Sequence, residues 1–208
     1  MKLIVFGATG TVGQHLVEQG LQKGYSITAF TRSPQKLLAG SATDLKIFTG
    51  DILNARDVEL AIQGHDAVLC TIGDGRRGTV RAGGTKNIIE AMRRTNVKRL
   101  ICQTTLGLGE SEANLNFFWR HIMFGWFLKK AFHDHELQEK YVTESNLDYT
   151  IVRPSAFANG EITHKYNVAF NGNTKGLKLK ISRADVADFM LRQLQSREFI
   201  KKAVSISN

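Results

Sequence analysis

A doubly wound α/β fold with a parallel sheet is predicted by three features of this 208-residue chain. Apolar runs of strand length alternate with helix-period segments from one end to the other. The first run, Lys2-Leu3-Ile4-Val5-Phe6, breaks into Gly7, Gly10 and Gly13, spaced three apart. An amphipathic stretch follows at once, with Val12, Leu16, Val17 and Leu21 on one face. Alternating strands and helices imply right-handed crossovers, a parallel sheet and helices on both of its faces. The length suits one domain, 1–208, with an ample core.

The strands are expected at Lys2–Phe6, Ser26–Thr31, Leu45–Thr49, Ala67–Cys70, Arg99–Cys102, Tyr149–Arg153 and Ala203–Ile206. Helical periodicity predicts helices over Thr11–Lys23, Ala55–Ile62, Val80–Thr95, a long segment ending near Ser145, and Arg183–Gln195. The last opens on Ser182 with Asp185 three residues on, the spacing of a capping box.

Composition narrows the function classes. Hydrophobic residues at 42% and charged residues at 23% describe a globular chain and exclude disorder. The N-terminus has no basic region leading into a long apolar one, so no signal peptide is expected. The most apolar later stretch, Leu115 to Leu128, contains Arg120 and His121 and is too short to span a bilayer. A cytoplasmic protein, monomeric or weakly dimeric, is expected. The net charge of +9 is spread over several predicted elements, which reads as a basic surface and not as a nucleic-acid footprint. Cys70 and Cys102 each end an apolar run and read as buried thiols, without a disulfide or metal.

In such a sheet a ligand lies at the carboxyl ends of the strands, so each of those turns has a chemical reading. The opening glycine turn brings backbone N–H groups and the positive end of a helix dipole onto an anion, usually a pyrophosphate. Its place between a strand and a helix is the context that marks a dinucleotide fingerprint. After the second strand, Arg32, with Ser33 and Lys36 nearby, stands where an NAD site would carry a carboxylate. A guanidinium there suits a 2′-phosphate, and a solvated loop arginine is the plain alternative. Asp51 and Ile52 follow the third strand, placed either against the adenine or, for Asp51, to cap the next helix. Thr71, Ile72 and Gly73 give backbone that can approach the nicotinamide ribose. Thr104 and Thr105 set hydroxyls where nicotinamide and substrate should meet, and Pro154 and Ser155 continue around the carboxamide. Phe157 and Trp119, the latter in the aromatic run Phe117 to Phe132, are candidate contacts for a planar acceptor. That run reads either as helix core, as a lid, or as a partner surface.

The tracts Gly7-Ala8-Thr9-Gly10-Thr11-Val12-Gly13, Gly50-Asp51, Glu144 to Ser155 and Ile181 to Asp188 resemble atypical short-chain dehydrogenases/reductases. Within these the similarity is to NmrA-like NAD(P)-binding proteins, and most of all to the biliverdin reductase B/flavin reductase group. The resemblance implies a Rossmann-type doubly wound sheet, NADP(H) as cofactor, and a pyrophosphate held by Gly7, Thr9, Gly10, Thr11 and Val12. Arg32 would take the 2′-phosphate. Thr104 stands where the group has a serine, and His135 where it has a histidine beside the active site. The substrate side would span about 104–175.

Ordinary members use a Tyr-x-x-x-Lys pair, in which the lysine lowers the phenol pKa for proton transfer. Here Tyr141 leads to Ser145, Tyr149 to Arg153 and Tyr166 to Phe170. That absence disfavours alcohol/ketone chemistry and suits a flavin, tetrapyrrole or quinone acceptor. Thr104 would orient the nicotinamide or bond the acceptor, and His135 would donate or relay a proton, or sit on a helix face near water. An NADPH-dependent reductase with a flavin or biliverdin-like acceptor is therefore expected. The alternatives are a non-catalytic NADP-binding redox-sensing regulator of the NmrA type, or a quinone or sugar-nucleotide reductase or epimerase.

Overall fold

A computed structural model describes residues 1–37, 42–115, 117–170, 174 and 176–208. In chain order its main elements are β1 (Lys2–Phe6), α1 (Gly13–Gln22), β2 (Ser26–Thr31), β3 (Leu45–Thr49), α2 (Ala55–Ile62) and β4 (Ala67–Cys70). There follow α3 (Arg81–Arg94), β5 (Arg99–Gln103), α4 (Lys129–Thr143), β6 (Asp148–Pro154), β7 (Ala156–Ala158), β8 (Asn167–Val168), β9 (Lys180–Ser182), α5 (Arg183–Arg192) and β10 (Lys202–Ser207). A π-helical run, Phe118–Phe127, leads into α4.

The large sheet runs β3-β2-β1-β4-β5-β6-β10-β8 and is parallel except for β8, which pairs antiparallel with β10. The expected doubly wound Rossmann-type architecture is present. The short strands β7, β8 and β9 were not anticipated, because two or three residues are too few to show a period of two. β7 and β9 form a separate parallel pair that brings Phe157 opposite Ile181.

Each face of the sheet has its own core. Leu3 and Val5 of β1 pack with Leu16 and Val17 of α1 and with Val186 and Met190 of α5. Ile4 and Phe6 point the other way, to Val58 of α2, Ile88 and Met92 of α3, and Val142 of α4. The alternation follows from the period-two geometry of a strand covered on both sides. Each such aliphatic side chain contributes roughly 1.5–3 kcal/mol by leaving water. Cys70 and Cys102 are free, buried and opposite each other in the β4/β5 register.

The chain order reverses between β1 and β4, which opens a crevice at the carboxyl ends of these strands. Among the described residues no helix is long and apolar enough to cross a membrane. The Ser182 half of the capping box forms, its Oγ accepting from the Asp185 N–H at 3.0 Å. The Asp185 carboxylate does not complete it. Instead it accepts the N–H groups of Thr163 (2.8 Å) and His164 (3.0 Å).

Candidate functional site

The glycine turn is built to a close tolerance. Gly7 has φ +84°, and a Cβ there would sit 2.7 Å from the Thr71 carbonyl oxygen. A Cβ on Gly13 would lie 2.0 Å from the Gly7 carbonyl oxygen, so only glycine lets α1 start this close to β1. The turn is closed by the Gly10 N–H donating to the Gly7 carbonyl at 2.8 Å. No side chain caps α1, and no acidic residue lies in its first turn. A helix start with uncapped N–H groups and no competing carboxylate fits the pyrophosphate of a dinucleotide.

A cavity of about 490 Å³ opens at this turn. Gly10, Thr11 and Val12 line one side, continued by Thr71, Ile72 and Gly73 after β4. Thr104 and Thr105 after β5, Pro154, Ser155 and Phe157 after β6, and His135 of α4 line the remainder. Gly7 and Thr9 lie just outside it in the same turn. Arg32 and Ser33 follow β2, and Asp51 and Ile52 follow β3, beyond the cavity at the same carboxyl edge of the sheet.

These outer residues differ in how free they are. Arg32 is exposed and in no ion pair among the described residues. The Ser33 N–H donates to Thr31 Oγ1 at 3.0 Å. Asp51 does not cap α2: Asn54 does, accepting from the N–H groups of Arg56 and Asp57. Asp51 Oδ1 accepts instead from the Leu53 N–H at 3.0 Å, an Asx turn before the helix. Ile52 is buried in the second core, and a Cβ on Gly84 of α3 would lie 2.6 Å from its Cγ1. Its side chain is thus occupied by the core, which the sequence reading did not anticipate.

The cavity wall that includes Thr104 and His135 is held by buried polar networks. Thr104 is buried, and its hydroxyl donates to Glu139 Oε1 at 2.6 Å. Arg153 grips both oxygens of Glu139, through Nε at 2.9 Å and a terminal nitrogen at 2.7 Å, and reaches Glu110 at 2.8 Å. His135 Nδ1 lies 3.0 Å from Gln138 Oε1. The Gln138 amide nitrogen donates to Thr85 Oγ1 at 3.1 Å and to Cys102 Sγ at 3.4 Å. Burial, helped by the nearby positive charge of Arg81, pushes the His135 pKa down to about 3. The imidazole is therefore neutral at physiological pH and does not hold the spare proton expected of it.

Arg81, at the start of α3, lines the cavity while buried. Its guanidinium donates to Asp74 at 3.0 Å and to the Gly75 carbonyl at 3.2 Å. The backbone N–H groups of Arg81 and Ala82 donate to the two oxygens of Asp134, each at 2.9 Å. A carboxylate from α4 thus caps α3, whose own N-cap residue, Val80, offers no side-chain bond.

Four aromatic residues of the run are not core. Phe117, Phe118, Trp126 and Phe127 are exposed, and the Arg76 guanidinium sits 4.2 Å over the Phe127 ring. The Trp119 side chain lies outside the described residues. Phe157 is partly exposed, with Arg183 over its ring at 5.3 Å. No group of three His, Cys, Asp or Glu side chains that could hold a metal occurs among the described residues.

Sequence reading missed Arg81, which looked like part of a surface basic group, and it missed Glu139 and Gln138. A signal for the last two was present. The buried stripe of α4 is Ala131, Asp134, Gln138, Glu139 and Val142, so polar residues occupy the face that a helix normally fills with apolar ones.

A family model described as NAD(P)H-binding matches residues 7–197. An uncharacterized chloroplastic protein of Arabidopsis thaliana is 30% identical over 99% of this chain and 76% of its own length. Among solved structures, the anaerobillin reductase ChuY of Escherichia coli O157:H7 aligns with a TM-score of 0.83 at 24% identity, covering 99% of this chain and 96% of that one. A short-chain dehydrogenase/reductase of Veillonella parvula, in complex with NADP, aligns at 0.85 and 17% identity, covering 100% and 94%. The glycine turn, the strand order and the span of the family match agree: the chain belongs to the NAD(P)H-binding family.

Proposed function

We propose that this oxidoreductase passes a hydride from NADPH to a planar acceptor of flavin or biliverdin type. The carrying observation is the single cavity joining the glycine turn at Gly10 to Thr104 and His135. A dinucleotide held at the turn, with its nicotinamide between Thr71–Gly73 and Pro154–Ser155, would leave the remaining space for the acceptor. The cofactor supplies the hydride, and the chain supplies binding and alignment. Arg32, exposed and unpaired among the described residues, is our candidate for the 2′-phosphate, with Ser33 beside it. Asp51 and the Ile52 backbone would border the adenine. The segment 104–175 supplies most of the acceptor side, with Thr105 and Phe157 as wall residues.

Neither candidate catalytic residue is set up as an acid. The Thr104 hydroxyl is committed to Glu139, and His135 is neutral. We therefore assign Thr104 and His135 to orientation, and assign the proton that accompanies hydride to water. A flavin, which can be protonated after reduction without a protein acid, suits such a site. The reductase activity named for the Escherichia coli structure is of the same class, and the NADP of the Veillonella parvula structure supports the cofactor.

A second reading is a redox-sensing regulator, favoured by the exposed aromatic residues Phe117, Phe118, Trp126 and Phe127. The deciding assay follows NADPH absorbance with FMN, FAD, biliverdin and a quinone supplied one at a time. Turnover with at least one is expected. Tight NADPH binding with no oxidation by any of the four would replace the reductase by the regulator.

A further inference from the structure

The exposed aromatic run beside the cavity is unusual in what it lacks. From Phe117 to Lys130 the sequence has no Asp, Glu, Ser, Thr, Asn or Gln, and between Glu112 and Asp134 it has no acidic residue. What the run turns outward is Phe117, Phe118, Ile122, Trp126 and Phe127, with Trp126 79% and Phe117 73% exposed. Residues four and five apart share a face of a π-helical segment, so Phe118, Ile122 and Phe127 stand together. Cations frame these rings. Lys129 and Lys130 are exposed at the start of α4. The loop before α3 lies against them, so close that a Cβ on Gly78 would meet the Lys130 carbonyl oxygen, and it adds the exposed Arg76 and Arg77. Arg76 covers the Phe127 ring. None of these four cations is in an ion pair among the described residues. The exposed carboxylates of the neighbouring segments, by contrast, are engaged: Glu110 by Arg153, Glu112 by Arg120 and Glu136 by His133.

We propose that this face docks on the surface of an anionic lipid bilayer, its rings at headgroup level and its four cations against the lipid phosphates. Large apolar side chains beside Lys and Arg, without acids, are what such a surface selects. A protein partner fits less well. Protein interfaces carry about one hydrogen bond per 100–200 Å², and the side chains of 117–130 hold no amide, hydroxyl or carboxylate oxygen to accept one. A second copy also fits less well, because a two-fold contact sets the patch against itself and brings its cations together. Leu115 and Leu128, at the two ends of the run, line the cavity. Docking there sets the cavity beside the bilayer.

The test uses the full chain and sucrose-loaded vesicles, of phosphatidylcholine alone or mixed with phosphatidylglycerol. Both tryptophans, Trp119 and Trp126, belong to the run, so their emission reports on it directly. The mixed vesicles should sediment the protein and shift its emission to the blue, and brominated lipid should quench it. Phosphatidylcholine alone should bind at least about tenfold more weakly, and added salt should weaken binding to the mixed vesicles. Lys129→Ala with Lys130→Ala should cost about twentyfold, at roughly fivefold per cation. Trp126→Ala, read by sedimentation, should cost about tenfold or more. Lys46→Ala with Arg56→Ala removes the same charge from exposed positions on β3 and α2. That control pair should stay within about twofold of wild type. Every substituted side chain is exposed, and a thermal melt checks the fold of each variant. No blue shift with the mixed vesicles, equal binding to phosphatidylcholine alone, or an equal loss in the control pair overturns the proposal. With no vesicle binding, a dimer that Trp126→Ala dissolves gives the face to a second copy, and a protein captured only by the wild type gives it to that protein; both overturn it. NADPH oxidation plays no part in these readouts, so their failure leaves the reductase reading untouched.

Discussion

The two ends of the cavity are built by different means. At the nucleotide end the work falls to the backbone, through a turn whose geometry leaves no space for a Cβ at Gly13 and whose helix has no side-chain cap. Around Thr104 and His135 it falls to side chains converging from the turn after β5 and from β6, α3 and α4. A backbone site depends mostly on a few adjacent residues, here with one distant neighbour, the Thr71 backbone against Gly7. A side-chain site depends on partners 14 to 53 positions apart, such as Glu139 with Arg153 and Gln138 with Thr85. The first tolerates almost no local change. The second can be retuned one residue at a time.

The largest effect should come from the nucleotide end. Gly13→Ala forces backbone apart at a 2.0 Å contact and should cost about 3 kcal/mol or more, with loss of NADPH binding. A urea titration measures it, and a stability within about 1 kcal/mol of wild type would break the comparison. Next comes Arg32→Ala. Losing charge-assisted bonds to a 2′-phosphate should weaken NADPH about thirtyfold and leave NADH unchanged. Equal weakening of both cofactors, read by calorimetry, would remove Arg32 from that role.

At the acceptor end the expected changes are graded. The unfolded chain takes up a proton at His135 near pH 6.5, and the folded ring refuses it until about pH 3. Stability from this group is therefore full above pH 6.5 and falls as the pH drops through that window. Between pH 7 and pH 5 the loss should be about 1–2 kcal/mol, and a His135→Leu variant should show a correspondingly flatter profile. Identical melting-temperature profiles for the two proteins would contradict it. The smallest effect is Phe127→Ala, which removes an exposed stack under Arg76 and should cost ~0.5 kcal/mol. A loss several times larger would mean that the aromatic run packs on more than this one cation.

The sheet and its crossovers were legible because every long strand carries its own apolar signature, and the glycine turn because its residues are contiguous. Thr104 was found from its place after the fifth strand and His135 by resemblance, and both line one cavity. What they can do there was not legible. The direction of the Thr104 hydroxyl is set by Glu139, and the pKa of His135 by burial and by Arg81, all of them distant in sequence. Asp51 was misread as a possible cap because an Asx turn and an N-cap draw on the same residue types, and Asn54 lay closer to the helix. The exposed aromatic residues were left between core, lid and partner surface, since hydrophobicity alone does not reveal which face a π-helical run presents.

The carboxylate that α4 lends to the start of α3 has a consequence for assembly. Because Asp134 holds the Arg81 and Ala82 N–H groups, the first turn of α3 is protected only while α4 is docked. Amide hydrogen exchange at those two positions then reads out the docking of α4 directly, with no ligand added. His135 is the next residue along the same helix, so slow exchange at Arg81 and Ala82 is also a clock for how often the acceptor wall comes apart.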